Sequence, residues 1–336
     1  MSRSALIAGL GMYVPEKILT NEDIERMLDR PGTADWLVEN VGVRERHIMA
    51  EDEVTSDLAY HAGFQALENA GVDADELDLI ILSTDTPDYI SPATSVVVQY
   101  KLGAKNAGTF DVNSACAGLV TSLDIGARYI RTDSSIDSVL VIGAYGMTKF
   151  VDWSDLYTCT VFADGAGAMV LRASEDKEGF LSSKLIADGS YHDYLGIYVG
   201  GTAEPPTVEA IQNNKHHLAF RKRFHTNTNL EHWPTLTRDC ISKANLSVED
   251  IDWFFFTQVN IKNIVAVMAE LGVPLEKTHT IMDKWGYTGS SCIALAMYDA
   301  VDQGKLPPPG EGNGEYIALC SSGGGYNMAA AVLQWW

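Results

Sequence analysis

Positive charge is scarce in this chain. Against 45 aspartates and glutamates it carries 24 lysines and arginines, for a net charge of -21. A field of that sign repels a phosphate backbone, which excludes nucleic acid as a partner of the bulk surface. Paired cysteines are also missing. The five cysteines, Cys116, Cys159, Cys240, Cys292 and Cys320, are odd in number and scattered. None has CxxC spacing or a histidine at metal-site spacing, so the pattern predicts reduced thiols, a cytoplasmic protein and no metal site. No apolar run approaches the length of a membrane span. The opening run, M-S-R-S-A-L-I-A-G-L-G, is interrupted by Pro15, Glu16 and Lys17 and reads as a first strand rather than a signal peptide. A P-loop is absent too. The glycine run F-A-D-G-A-G-A-M-V-L at 162–171 lacks the required Lys-Ser/Thr ending and suits close backbone packing.

What is present is a chain of 336 residues, 46% of them hydrophobic, enough for one large domain or two halves around a sizeable core. Its organising stretch is Phe110 to Ile130, F-D-V-N-S-A-C-A-G-L-V-T-S-L-D-I-G-A-R-Y-I. A buried strand ends in a tight corner of small residues, and Val120, Leu123, Ala127 and Ile130 follow at helical spacing. Cys116 sits alone in that corner. The positive end of a helix dipole aimed at it favours thiolate, and Ala115, Ala117 and Gly118 leave room for a substrate. The other four cysteines read as core residues.

Around this elbow the pattern alternates. Strands are expected near 5–11, 77–84, 136–142, 162–171, 180–188, 251–257, 278–283, 316–320 and 328–334. Helices are expected near 55–70, 94–101, 236–244, 260–271 and 293–301. Val41 to His47 reads as a turn and a basic patch. The densest basic run, K-H-H-L-A-F-R-K-R-F-H at 215–225, reads either as a solvated face or as a landing site for an anionic carrier. The order repeats itself. The strand at 77–84 echoes 251–257, the elbow and its helix echo M-D-K-W-G-Y-T-G-S-S-C, and 138–146 echoes 316–325. Two similar α/β halves follow, 1–172 and 173–336, with mixed, mostly parallel sheets. Their pseudo-twofold packing sets the elbow against loops at Thr257–Asn260 and Gly286–Ser290.

Six stretches carry a family resemblance: W-L-V-E-N-V-G-V-R-E-R-H (36–47), D-V-N-S-A-C-A-G-L (111–119), F-A-D-G-A-G-A-M-V-L (162–171), T-Q-V-N-I-K-N (257–263), W-G-Y-T-G-S-S (285–291) and the final S-G-G-G (322–325). The chain resembles the ketoacyl-[acyl carrier protein] synthase III family across nearly its whole length. The resemblance implies a thiolase-like, duplicated five-layer α-β-α-β-α fold and an acyltransferase of fatty acid or polyketide biosynthesis. It also implies a homodimer paired through its first half, with the Tyr89 loop near the interface. Cys116 takes the place of the family's acylated nucleophile. The backbone N–H groups of Cys116 and of the Gly323–Gly325 turn, with Gly324 at its centre, take the place of the oxyanion hole.

Two family partners are replaced. Thr257 stands where the family has its histidine, and Tyr287 where it has its asparagine. Losing two donors from an anion site costs about 2.7–4 kcal/mol of transition-state stabilisation for each. Tyr287, His192, His279 and Asp283 are the candidate replacement bases. The arginines that grip coenzyme A, near Asn40 and Leu156, are missing. Trp36, similar to the family's adenine-stacking tryptophan, is kept. No tightly bound cofactor is expected. The implied partner is an acyl-coenzyme A or, better, an acyl-carrier phosphopantetheine thioester, met by Lys262 with Lys215, Arg221, Lys222 and Arg223. Three functions follow: a thioester-dependent acyltransferase serving a specialised-metabolite acceptor, a decarboxylative synthase with a rearranged site, and a catalytically silent subunit of a heterodimer. The retained Cys116 argues against the last.

Overall fold

The computed structural model describes residues 3–225 and 227–336. Its first sheet takes β1 (Ser4–Tyr13), β2 (Leu79–Ser83), β3 (Gly108–Val112), β4 (Ser138–Gly146) and β5 (Asp164–Ser174), in the order β1-β5-β4-β2-β3. The second takes β6 (Phe180–Ala187), β7 (Trp253–Phe256), β8 (Glu315–Gly323) and β9 (Asn327–Trp335), in the order β6-β9-β8-β7. The two orders are the same walk. β1 corresponds to β6, β5 to β9, β4 to β8 and β2 to β7. The counterpart of β3 shrinks to one parallel bridge, Phe254 to Thr278.

Five layers result. α1 (Thr55–Ala70) and α2 (Thr94–Leu102) cover the outer face of the first sheet. α3 (Gly118–Thr132) lies between the sheets, as does Cys292–Asp302. α4 (Thr228–Lys243) and α5 (Ile261–Leu271) cover the second sheet from outside. Both sheet faces are therefore dry. That is why β2 and β4 are buried at every position rather than at alternate ones. The central helices bury small side chains: Ala127 of α3 and Ala294, Ala296 and Ala300 of the other are fully enclosed.

The structure departs from three expectations. Four of the seven strand pairings are antiparallel, because β5 and β9 each return directly alongside the strand before them. The strand expected at 278–283 does not form. There the Gln258 side chain stands in for a neighbouring strand: its Nε2 donates to His279 O at 3.3 Å, and its Oε1 accepts from Ile281 N at 3.1 Å. A short helix, Met282–Trp285, follows. The basic patch at 41–47 is split, with Arg44 exposed and Arg46 enclosed. Glu45–Ile48 pairs with Lys17–Thr20, and Arg46 is fully buried. Its guanidinium donates to Asn21 Oδ1 at 2.8 Å and Thr160 O at 2.7 Å, and burial lowers its pKa to about 10.

One contact sets the height of the elbow over the sheet. A Cβ built on Gly118, the first residue of α3, would stand 1.8 Å from Ser83 Oγ and 3.0 Å from Ser83 Cβ. Only glycine lets the helix start so close to the end of β2. Gly118→Ala is expected to destabilise the protein by about 1–3 kcal/mol through overpacking, read as a lower urea midpoint at unchanged slope. A midpoint equal to the parent's would show that this close approach is not needed.

Candidate active site

β2 and β3 run parallel in register from Leu79 opposite Gly108 to Ser83 opposite Val112. Their carboxyl ends therefore release two neighbouring turns into the same space. From β3 the chain turns through Asn113, whose Oδ1 accepts from Ala115 N at 3.2 Å. Ala115 is held at φ 47°, a left-handed conformation that a non-glycine residue adopts only under constraint. This corner places Cys116 two residues before α3. From β2 the chain passes Thr84, Asp85 and Thr86. That turn is clamped: Thr84 N donates to Val112 O at 3.2 Å, Gly146 N to Thr86 Oγ1 at 2.9 Å, and Thr55 Oγ1 to Thr86 O at 2.6 Å.

The second half supplies the opposite wall. Phe162 and Tyr287 form a parallel bridge, with Tyr287 N donating to Val161 O at 3.0 Å and Ala163 N to Tyr287 O at 2.9 Å. Thr257 Oγ1 accepts from Ser322 N at 3.1 Å, which leaves its own proton for the cavity. A Cβ on Gly323 would stand 2.5 Å from Cys116 N, so glycine there lets the last turn reach the elbow amide.

Between these walls lies a cavity of about 520 Å³. It brings together Cys116, Thr257, Tyr287 and Gly324, together with Asp85 and Tyr145. The expected meeting of the elbow with the loops at 257–260 and 286–290 thus occurs. Much of the remaining wall is apolar, including Met147, Phe162, Ile197, Leu218 and Phe224. Tyr145, Phe162 and Tyr287 close one end, with ring centroids 5.7–6.3 Å apart. A polar strip crosses the other wall, where Asn229 Oδ1 accepts from Ser322 Oγ and Tyr326 Oη, each at 3.3 Å.

The electrostatics reverse one expectation. Burial pushes the Cys116 thiol far above its ordinary pKa, the Asp85 charge adds to that, and hydrogen bonding with Tyr287 pulls only partly back. Desolvation is the largest of these influences, and it favours Cys116 at rest as a thiol rather than a thiolate. Burial likewise raises the Tyr287 phenol well above its usual value. Asp85 is the one carboxylate on the wall, and no lysine or arginine lines the cavity among the described residues.

Of the proposed bases, only Tyr287 lines the cavity. His279 is buried elsewhere: its Nε2 meets Asp299 Oδ2 at 2.6 Å and its Nδ1 meets Lys305 Nζ at 3.2 Å. His192 and Asp283 are exposed and line no part of the cavity. The histidine that does line it is His225, an exposed residue. Trp36, Lys262 and Arg221 are not in the wall either. Lys262 Nζ donates to Asn40 Oδ1 at 2.8 Å, while Asn260 Nδ2 donates to Asn40 O at 3.1 Å. Because Asn260 and Asn263 line the cavity, Lys262 stands beside its rim, while Trp36 is exposed one turn of helix before Asn40. Arg221 is committed to Glu204 at 2.7 Å and stacks 3.7 Å over Tyr198. Lys222 pairs with Asp193 at 2.6 Å. Arg223 stacks over the exposed, cavity-lining Tyr157 and donates to its hydroxyl at 2.6 Å.

Sequence reading missed Asp85. The triplet Thr84-Asp85-Thr86 looks like any polar loop, and only the pairing of β2 with β3 reveals that it opens beside Cys116.

A raised thiol pKa predicts sluggish alkylation. Between pH 7 and 9.5, Cys116 should react with iodoacetamide at least about tenfold more slowly than free cysteine, still accelerating at the upper end. Tyr287→Phe, which removes a stabiliser of the thiolate, should slow it further. A plateau below pH 8 by peptide mass mapping would contradict this.

Comparison with known proteins agrees with the geometry. Residues 110–189 match the family model of 3-oxoacyl-[acyl-carrier-protein (ACP)] synthase III, and residues 241–335 match that of its C-terminal domain. A beta-ketoacyl-[acyl-carrier-protein] synthase III of Xanthomonas campestris pv. campestris (strain 8004) is 38% identical over 332 residues, 98% of either chain. Its counterpart in Roseiflexus castenholzii is 36% identical over 335 residues, 100% of this chain and 99% of the relative. The crystal structure of the Thermus thermophilus synthase III superposes with a TM-score of 0.88 at 33% identity, covering 98% of this chain and 99% of that one. The priming beta-ketosynthase of the R1128 polyketide pathway gives 0.87 at 28% identity, covering 99% and 97%. With this likeness along its whole length and a cysteine elbow facing a cavity built by both sheets, the chain belongs to the 3-oxoacyl-[acyl-carrier-protein] synthase III family.

Proposed function

We propose that the protein is an acyltransferase that loads an acyl group from a carrier or coenzyme A thioester onto Cys116. It then passes that group to an acceptor without decarboxylation. The observation that carries this reading is the composition of the cavity wall around the thiol. By the family resemblance Thr257 and Tyr287 take the places of the decarboxylating pair, and among the described lining residues the one carboxylate is that of Asp85. A malonyl carboxylate would enter next to a like charge, with no lysine or arginine among the described lining residues to offset it. A neutral acyl thioester meets no such repulsion.

Loading needs less. The thiol attacks the thioester carbon, the Cys116 and Gly324 N–H groups hold the developing oxyanion, and the proton leaves with the departing thiol. The Tyr287 hydroxyl stabilises Cys116 as it gives up its proton. The apolar wall from Met147 to Phe224 suits an acyl chain and the pantetheine arm. Lys262 at the rim and the exposed Trp36 would hold the donor's head, and Arg223 over Tyr157 is the cation best placed for an acidic carrier surface. Arg221 and Lys222, already ion-paired, contribute less. Exposed Tyr89, Ile90, Val96 and Tyr100 form an apolar run on the first half that suits a homodimer interface.

A decarboxylative reading keeps one support, the hydroxyls of Thr257 and Tyr287 as an alternative anion hole. The two separate cleanly. Mixed with a panel of acyl-coenzyme A and acyl-carrier thioesters, the protein should gain the mass of one acyl group. Cys116→Ala should gain none. Malonyl-carrier protein should leave the acyl-enzyme intact. Its discharge into a 3-oxoacyl product would overturn the transfer reading, and absence of any adduct would overturn the acyl-enzyme itself.

A further inference from the structure

Asp85 has no task in the loading step. Its Oδ1 is buried and has no hydrogen-bond partner. A buried carboxylate oxygen left bare is costly, and the fold holds it there with a clamp of three hydrogen bonds on the flanking threonines. No hydrogen bond joins it to Cys116 among the described contacts, although its charge is felt at the thiol. Asp85 and Cys116 line the same cavity without touching through a hydrogen bond. Once the sulfur is acylated, that space is where an attacking group must stand.

We propose that Asp85 is the general base of the second half-reaction, taking the proton of a neutral alcohol or amine acceptor as it attacks the Cys116 thioester. This rests on the acyl-transfer reading above. An ionised carboxylate only accepts hydrogen bonds, so it selects an acceptor that presents O–H or N–H. The step balances. The acceptor's lone pair forms the new bond to the acyl carbon while its proton passes to the Asp85 carboxylate. The tetrahedral intermediate collapses, the carbon–sulfur bond breaks, and the Cys116 thiolate takes the proton back from Asp85. The products are the acyl ester or amide and the resting thiol. The high pKa of Cys116 drives that return.

Burial lifts Asp85 to about 6. Its folded value lies above that of a free carboxylate, yet it is mostly ionised at pH 7 and becomes protonated as the pH falls through 6. The titratable groups facing the same cavity are Cys116, Tyr145 and Tyr287 beside it, with Tyr157, His225 and Tyr326 elsewhere in the wall. The thiol and the phenols with shifted values move upward, away from this range. His225 is an exposed residue outside the Thr84–Thr86 clamp.

The test uses the isolated acyl-enzyme, discharged by water and by 1-propanol and followed by intact mass. In Asp85→Asn the acyl-enzyme should still form and should accumulate, because its discharge falls about 100-fold or more. The wild-type discharge rate should decline below about pH 6, and that decline should vanish in Asp85→Asn. Discharge at the wild-type rate in Asp85→Asn would overturn the proposal. So would a low-pH limb that survives in Asp85→Asn and disappears in His225→Gln. An Asp85→Asn protein that does not load would place the residue in the first step instead. A wild-type protein that takes no acyl group from any donor fails the acyl-enzyme reading, and this inference with it.

Discussion

A thiol and a carboxylate share one cavity, and the rest of the site is arranged around that pairing. Either charge alone is penalised by burial, and each makes the other harder to carry. The family resemblance read from the sequence implies a histidine and an asparagine opposite the proposed nucleophile. Here a threonine and a tyrosine stand there, and neither brings a positive charge. The consequence is a thiol that burial keeps protonated at rest, and on the proposed reading a site that disfavours anionic extenders.

The fold makes this pairing possible through register. Because β2 and β3 are parallel neighbours, their ends deliver Asp85 and Cys116 to the same side of the sheet. Because the second sheet repeats the strand order of the first, its corresponding loops deliver Thr257 and Tyr287 to the facing wall. Gly118 seats the elbow helix against Ser83 at the end of β2, and Gly323 brings the facing wall against the amide of Cys116.

Much of this was legible in the sequence. The small residues around Cys116 announced the elbow, and the Gly-terminated segments at 55–70 and 260–271 announced helices. The repeated order of strands announced which loops would meet. What the sequence hid was set by contacts between distant residues. The segment at 278–283 has strand-like composition, but the Gln258 side chain already satisfies its backbone. Arg46 reads as surface charge until Asn21 and Thr160 are seen around it. His279 reads as a base until Asp299 claims it. Asp85 carries no local signal at all, since its meaning comes from a neighbouring strand 29 residues further along the chain.

The central claim is that the exchange of the family's decarboxylating pair for Thr257 and Tyr287, beside Asp85, has turned a condensing site into a transferring one. Carbon dioxide release from radiolabelled malonyl-carrier protein, measured with the acyl-loaded enzyme, tests it most directly. The account predicts release no faster than from Cys116→Ala. Release that depends on Cys116 acylation and falls in Tyr287→Phe would contradict it, and would make these two hydroxyls a working substitute for histidine and asparagine.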